Sequence, residues 1–210
     1  MKYKIGYIDE DATQFAKYER QLRSYFDVIG FEITPGIELI DLLKQVYDSD
    51  IDLLMIDYLM AEKGVLTYNG DEVARAFEEI KPRFPVIIFT NKESDAFPQV
   101  DNPNIIYDKS LINSDKLHFV EILKRNILNY KGYIEKRKNT INDLLLKGEN
   151  EGLSSDEKHI LVQTQTELIN LDKWSNEVPF QLLDDKRLEN LSKTTKEAEE
   201  FLESILKKKD

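Results

Sequence analysis

Five short apolar runs, separated by amphipathic stretches, constrain this chain more than any other feature. The runs are Ile5 to Ile8, Phe31 to Ile33, Leu53 to Ile56, Val86 to Phe89 and Ile105 to Tyr107. Three of them are almost continuously apolar, which suits strands covered on both faces. The stretches between them read as helices. Asp11 is a candidate cap for a helix carrying Phe15, Leu22 and Phe26. Pro35-Gly36 marks a turn before a helix with Ile37, Leu39, Leu42, Leu43 and Val46. Asn69-Gly70 closes a loop before a helix with Val73, Ala76, Phe77 and Ile80. Five strands alternating with helices predict an α/β fold: a doubly wound, five-stranded parallel sheet with right-handed crossovers. Ligands of such sheets bind at the carboxyl ends of the strands.

From about residue 114 no strand signal returns. Val120, Ile127, Ile134 and Ile141 recur every seven residues, with Leu123, Tyr130 and Leu144 at complementary positions and Arg137 interrupting. This spacing predicts one long helix, with a break near Gly148. Ser154 and Glu157 have capping-box spacing, so a second helix starts there, with apolar positions Leu161, Leu168, Leu171 and Trp174. Pro179 falls in a connection, and Asp184 or Asp185 can cap a third helix holding Leu188, Leu191, Ala198, Leu202 and Ile205. The expected organisation is a sheet domain over 1–130 and an all-α output or interaction domain over 131–210. The latter is a helical hairpin or a three-helix bundle, continuous with the last helix of the sheet domain. Its heptads suit packing within the chain, with a homodimer as the other outcome. Trp174 and Phe180 belong to that core or to a partner surface.

Composition narrows the function classes. Of the 210 residues none is cysteine, which removes disulfides and thiolate chemistry and fits a reducing cytoplasm. Met1 leads directly into a strand-like run rather than a basic-then-apolar leader. No apolar run approaches the roughly 20 residues that span a bilayer. A cytoplasmic protein without membrane insertion is expected. The net charge is -11, about -8 in residues 1–130 and -3 in 131–210. Neither half offers the electrostatic attraction that supplies non-specific nucleic-acid affinity, so a nucleic-acid partner is not expected.

One constellation carries chemistry. Asp9 and Glu10 follow the first strand, Asp57 ends the third, Thr90 ends the fourth and Lys109 lies just past the fifth. A doubly wound sheet brings all these ends to one edge. Three carboxylates, a hydroxyl and an ammonium in one cleft suit phosphoryl transfer. Hard Mg2+ takes oxygen ligands, here from Asp9 or Glu10 and from Asp57. Asp57 is an oxygen nucleophile able to form an aspartyl phosphate. Metal and Lys109 would neutralise the phosphoryl oxygens, and Thr90 would hydrogen-bond one of them.

These residues also carry a resemblance. Ile-Gly-Tyr-Ile-Asp-Glu-Asp at 5–11, Leu-Leu-Met-Ile-Asp at 53–57, Val-Ile-Ile-Phe-Thr at 86–90 and Tyr-Asp-Lys at 107–109 resemble the motifs of response-regulator (CheY-like) receiver domains, in order, over roughly residues 1–130. The resemblance implies a flavodoxin-like sheet of order 2-1-3-4-5. It implies Asp9 and Glu10 as the Mg2+ pair, Asp57 as phosphoacceptor, and Thr90 and Lys109 as phosphate-sensing residues. It further implies a histidine kinase or phosphotransfer protein as donor. The expected function is a two-component response regulator that switches an unidentified protein partner through its helical tail. The alternative is a pseudo-receiver, a scaffold or adaptor independent of phosphorylation.

Departures from the family pattern bear on that choice. Ser110 follows Lys109 where receivers have proline, so the usual cis bond is not expected. Ile106 holds the place of the switch aromatic, and Tyr107 is one residue off. Asn91 replaces the usual small residue after Thr90. The loop from Asp57 to Gly70 is longer than the pattern. Pro98 and Pro103 predict a short or irregular fourth helix. His118 is read as a surface residue; His159, whose place on a helical bundle invites a phosphotransfer reading, is read first as an exposed or partly packed histidine.

Overall fold

The computed structural model describes residues 2–61 and 64–175. The expected features at Pro179, Phe180, Asp184, Asp185 and beyond lie outside these residues.

The elements run β1 (Lys4–Ile8), α1 (Ala12–Leu22), β2 (Asp27–Gly30), α2 (Leu39–Asp48), β3 (Leu53–Ile56), α3 (Gly70–Ile80), β4 (Val86–Thr90), α4 (Glu93–Ala96), β5 (Ile106–Asp108), α5 (Leu111–Ser114), α6 (Lys116–Asn150) and α7 (Ser155–Ile169). The five strands form one parallel sheet of order β2-β1-β3-β4-β5. Ile5 pairs with Leu53, Met55 with Ile87, and Phe89 with Tyr107. This is the doubly wound, flavodoxin-like order that the strand pattern and the family motifs anticipate.

The near-continuous apolar runs are explained by burial on both faces. Ile5, Tyr7, Leu53, Met55, Ile87 and Phe89 join one core with Tyr18 and Leu22 of α1 and Phe119, Val120, Leu123 and Ile127 of α6. The alternate residues Ile8, Leu54, Ile56 and Ile88 are fully buried as well, and strand periodicity turns them to the opposite face. There Leu42, Leu43 and Val46 of α2 and Val73 and Phe77 of α3 are buried.

The second strand differs from expectation. It occupies Asp27–Gly30, not Phe31–Ile33. β2 is an edge strand and only half-buried, so its residues carry a weak apolar signal. The Phe31 ring instead packs over Gly6, where any Cβ would lie 2.9 Å from it. α1 stops at Leu22, and Phe26 enters the core from the turn that follows. Ile37 precedes α2 rather than lying within it. Glycine at 36 supports the preceding turn with φ 76°.

α6 runs unbroken for 35 residues, through Gly132 and Gly148. The chain reverses only after it, at Gly152 with φ 81°. Gly148 leaves room for Leu153, which would lie 3.2 Å from a Cβ there. The expected break near Gly148 is therefore a close packing point and not a helix end. Ser154 caps α7, accepting from the Glu157 N–H while Glu157 accepts from the Ser154 N–H at 3.0 Å. α7 ends at Ile169, so Leu171 and Trp174 lie past the helix.

The hairpin of α6 and α7 is tied to the sheet domain. Asp172 accepts from the Tyr47 hydroxyl at 2.9 Å and pairs with Lys81 at 3.5 Å. Arg137 pairs with Glu167 at 2.7 Å and lies over the Tyr133 ring at 3.3 Å. Arg83 also lies over this ring, 4.7 Å from its centroid. The compact unit containing the sheet ends at Asp172. His118 and His159 are exposed. Among the described residues no helix is long and apolar enough to cross a membrane.

Candidate functional site

Each site residue is placed by the end of a strand. β1 delivers Asp9 and Glu10, β3 delivers Asp57, and β4 ends on Thr90. The Lys109 N–H, just past β5, donates to the Thr90 carbonyl at 2.9 Å. The Asp57 N–H donates to the Ile8 carbonyl at 2.9 Å, which sets Asp57 beside the acidic pair. All five residues expected from sequence come together at the carboxyl edge of the sheet.

Lys109 is the centre of the electrostatics. Its ammonium lies 3.0 Å from Asp9 Oδ2 and 3.0 Å from Asp57 Oδ2. Its side chain is only 4% exposed. Burial pulls the Lys109 pKa down, but Asp57 and Asp9 outweigh it, and the net shift is upward. The ammonium stays charged. Asp57 is pushed up to about 6: burial raises it most, Lys109 opposes, and Asp9 and Glu10 add repulsion.

The Asp9 carboxylate is held on every side. Oδ1 accepts from the Asp11 N–H at 2.9 Å. Oδ2 accepts from the Tyr7 hydroxyl at 2.5 Å and from Lys109. Tyr7 is buried, and burial together with neighbouring Asp9 holds its pKa far above the usual phenol range. Sequence reasoning missed Tyr7, although it stands two residues before Asp9 and therefore on the same face of the strand. Asp11 serves twice, since its side chain also caps α1 by accepting from the Thr13 and Gln14 N–H groups.

Asp57 Oδ1 accepts from the Tyr58 N–H at 2.9 Å. The Tyr58 carbonyl accepts from the Gly70 N–H at 2.8 Å, joining the Asp57–Tyr58 segment to the start of α3. At Gly70 a Cβ would sit 2.2 Å from the Asp57 carbonyl oxygen. Only glycine lets α3 begin this close to Asp57. The Asn69-Gly70 pair reads from sequence as a turn, so this role was hidden.

Asp9, Glu10 and Asp57 offer carboxylate oxygens all within 4.8 Å of one another. Opposite ligands of an octahedral Mg2+ stand about 4 Å apart. Three hard oxygens and no imidazole or thiolate suit that ion, so the residues fit a Mg2+ site.

The departures from the family pattern have visible counterparts. No cis peptide bond occurs among the described residues. α4 is a single turn of four residues. Tyr107 is half-buried, with its ring edge-on to Phe119 at 6.3 Å, a packing role. The long Asp57–Gly70 loop is anchored by buried Met60, Leu66 and Tyr68.

No family model matches the chain, and no curated protein matches its sequence. Solved structures do match. A structure of adenylate cyclase from Rhodopirellula baltica is 19% identical, with a TM-score of 0.51, over 66% of this chain and 98% of that one. A response regulator receiver protein from Sinorhizobium medicae WSM419 is 20% identical, with a TM-score of 0.41, over 51% of this chain and 82% of that one. A BeF3-activated DrrB receiver domain is 19% identical, with a TM-score of 0.37, over 60% and 98%. These likenesses are of fold. With its sheet order, the chain has a flavodoxin-like, doubly wound parallel fold, extended by helices at its carboxyl end.

Proposed function

We propose that this chain is a cytoplasmic two-component response regulator whose Asp57 accepts a phosphoryl group from a histidine kinase or phosphotransfer protein. The observation that carries the reading is the contact of one buried ammonium, Lys109, with both Asp9 and Asp57 inside a three-carboxylate cleft. A structural ion pair needs one carboxylate. Three around one lysine leave excess negative charge, which suits a cleft built to bind a cation and an incoming phosphoryl group.

In the reaction, an Asp57 carboxylate oxygen forms the new bond to phosphorus. The bond from phosphorus to the donor imidazole breaks, and its electron pair returns to the ring. Asp9, Glu10 and Asp57 would hold Mg2+, which neutralises charge on the transferring group. Lys109 moves from pairing with Asp57 to pairing with a phosphoryl oxygen. The Thr90 hydroxyl supplies a hydrogen bond to another. The Tyr58 N–H keeps the acceptor carboxylate oriented. The output, on this reading, is a protein partner of the region from about residue 131 onward, with residues 1–130 acting as the receiver.

The test is treatment with acetyl phosphate, or with beryllofluoride, in the presence of Mg2+. Asp57 is expected to be modified, and Asp57→Asn to abolish the modification. Wild type that reacts with neither reagent overturns the proposal.

One-turn α4 and the aliphatic Ile106 favour a second reading, an adaptor that signals without phosphorylation. Partner affinity unchanged by beryllofluoride, in a protein that binds it, would select that reading.

A further inference from the structure

The α4 turn is held at two points by residues of the acceptor site. The Thr90 hydroxyl accepts from the Lys92 N–H, at the amino end of α4, at 3.1 Å. The Tyr58 hydroxyl donates to the Asp95 carbonyl, within α4, at 3.1 Å. Tyr58 is buried at 6% exposure, so its phenol reaches α4 through packed surroundings and not through solvent. The same residue donates its N–H to Asp57 Oδ1 and accepts the Gly70 N–H at its carbonyl. Tyr58 therefore touches the acceptor carboxylate, the start of α3 and the body of α4. The β5 position that would hold an aromatic switch is Ile106, and Tyr107 is packed against Phe119. Beyond α4 the large side chain of Phe97 stands 62% exposed.

We infer that Tyr58 is the positioning residue through which a change at Asp57 reaches α4 and the exposed Phe97, in place of an aromatic on β5. The inference rests on Asp57 being the phosphoacceptor. Conversion of the Asp57 carboxylate to an acyl phosphate changes the charge and the lone pairs offered to the Tyr58 N–H. A shift of the Tyr58 main chain is passed along its rigid ring to the bond with Asp95. α4 is a single helical turn, continued only by the short turn at 97–99. Its hydrogen bonds are few: the Asp95 and Ala96 N–H groups donate to the Lys92 carbonyl at 3.1 and 3.0 Å, the Phe97 N–H donates to the Glu93 carbonyl at 2.9 Å, and in the turn that follows the Gln99 and Val100 N–H groups donate to the Ala96 carbonyl at 3.0 and 3.1 Å. One added or lost hydrogen bond of ordinary strength is thus a large share of what holds the turn.

Tyr58→Phe tests this, since it removes only the phenol oxygen and retains the ring and the N–H to Asp57. Amide hydrogen exchange of residues 92–97 is measured in both proteins, with and without beryllofluoride and Mg2+, alongside beryllofluoride binding. Wild type is expected to bind and to change exchange in this segment. Tyr58→Phe is expected to exchange about two- to tenfold faster there before addition and, at beryllofluoride concentrations that saturate it, to respond little. A Tyr58→Phe response equal to that of wild type overturns the inference. So does wild type that binds but leaves 92–97 unchanged. Wild type that does not bind overturns the reading of Asp57 itself, and the inference falls with it.

Discussion

Lys109 and Asp57 form an ion pair, 3.0 Å between Nζ and Oδ2, at the end of the sheet where only 4% of the lysine and 15% of the aspartate side chain is exposed. A buried pair of this kind adds little net stability, but removing one partner strands the other. Lys109→Met would leave Asp9 and Asp57 without their shared cation. It should destabilise the metal-free protein by about 3 kcal/mol near neutral pH. Urea denaturation with and without Mg2+ checks this. The metal should restore part of the loss, since it brings positive charge to the same carboxylates.

Asp57 makes the opposite prediction. Its folded pKa is raised to about 6, first by burial. Between pH 4 and 6 the folded state therefore holds more protons than the unfolded chain. The contribution of Asp57 is fully present below its unfolded pKa and is lost as pH rises through about 6. Asp57→Asn mimics the protonated form. It should be more stable than metal-free wild type at pH 7.5, by about 1–3 kcal/mol. The gap should close toward pH 4. Thermal unfolding across that pH range decides it: a variant less stable than wild type at pH 7.5 would contradict the electrostatics drawn from the site.

Gly70 is a steric claim. A Cβ there meets the Asp57 carbonyl oxygen at 2.2 Å, and the obstacle is main chain, which cannot swing aside as a side chain can. Gly70→Ala should cost about 1–3 kcal/mol and displace the acceptor peptide. Its Mg2+ affinity should fall alongside its melting temperature. A melting temperature unchanged by the substitution would remove the argument that α3 packs this close to Asp57.

What could be read from sequence follows the strength of local signals. β1, β3 and β4 were legible because two buried faces demand continuous apolar residues, and the site residues were legible because they sit at those strand ends. β2 was misplaced because an edge strand pairs on one side, so Asp27–Gly30 need not look apolar, while Phe31 is apolar for another reason. The ends of α1 and α7 were overrun because Phe26 and Leu171 continue an apolar pattern after the helix has stopped. The Tyr58–Asp95 bond joins residues 37 apart across an irregular loop, and no periodicity marks such a contact. Tyr7 was legible in principle, as the residue one strand period before Asp9.

The turn between α6 and α7 offers a pH test remote from the cleft. Glu157 accepts from Lys147 at 2.6 Å and from the Ser154 N–H and hydroxyl, each at 3.0 Å. Lys147 first, then Ser154, lower its pKa to about 2. A carboxylate with a depressed folded pKa stabilises above its unfolded value, near 4.5, and loses that contribution as pH falls through about 2. Acidification from pH 5 to 2 should therefore loosen the turn, seen as lower protection of amides 154–158 relative to their intrinsic exchange rate at each pH. Glu157 is exposed, so the effect should be local and weakened by salt. Glu157→Gln retains a side-chain acceptor for the Ser154 N–H but loses the charge facing Lys147. It should start with faster exchange at pH 5 and show a smaller change on acidification. If wild type and Glu157→Gln respond alike, the capping box alone holds the turn, and the ion pair with Lys147 adds nothing to it.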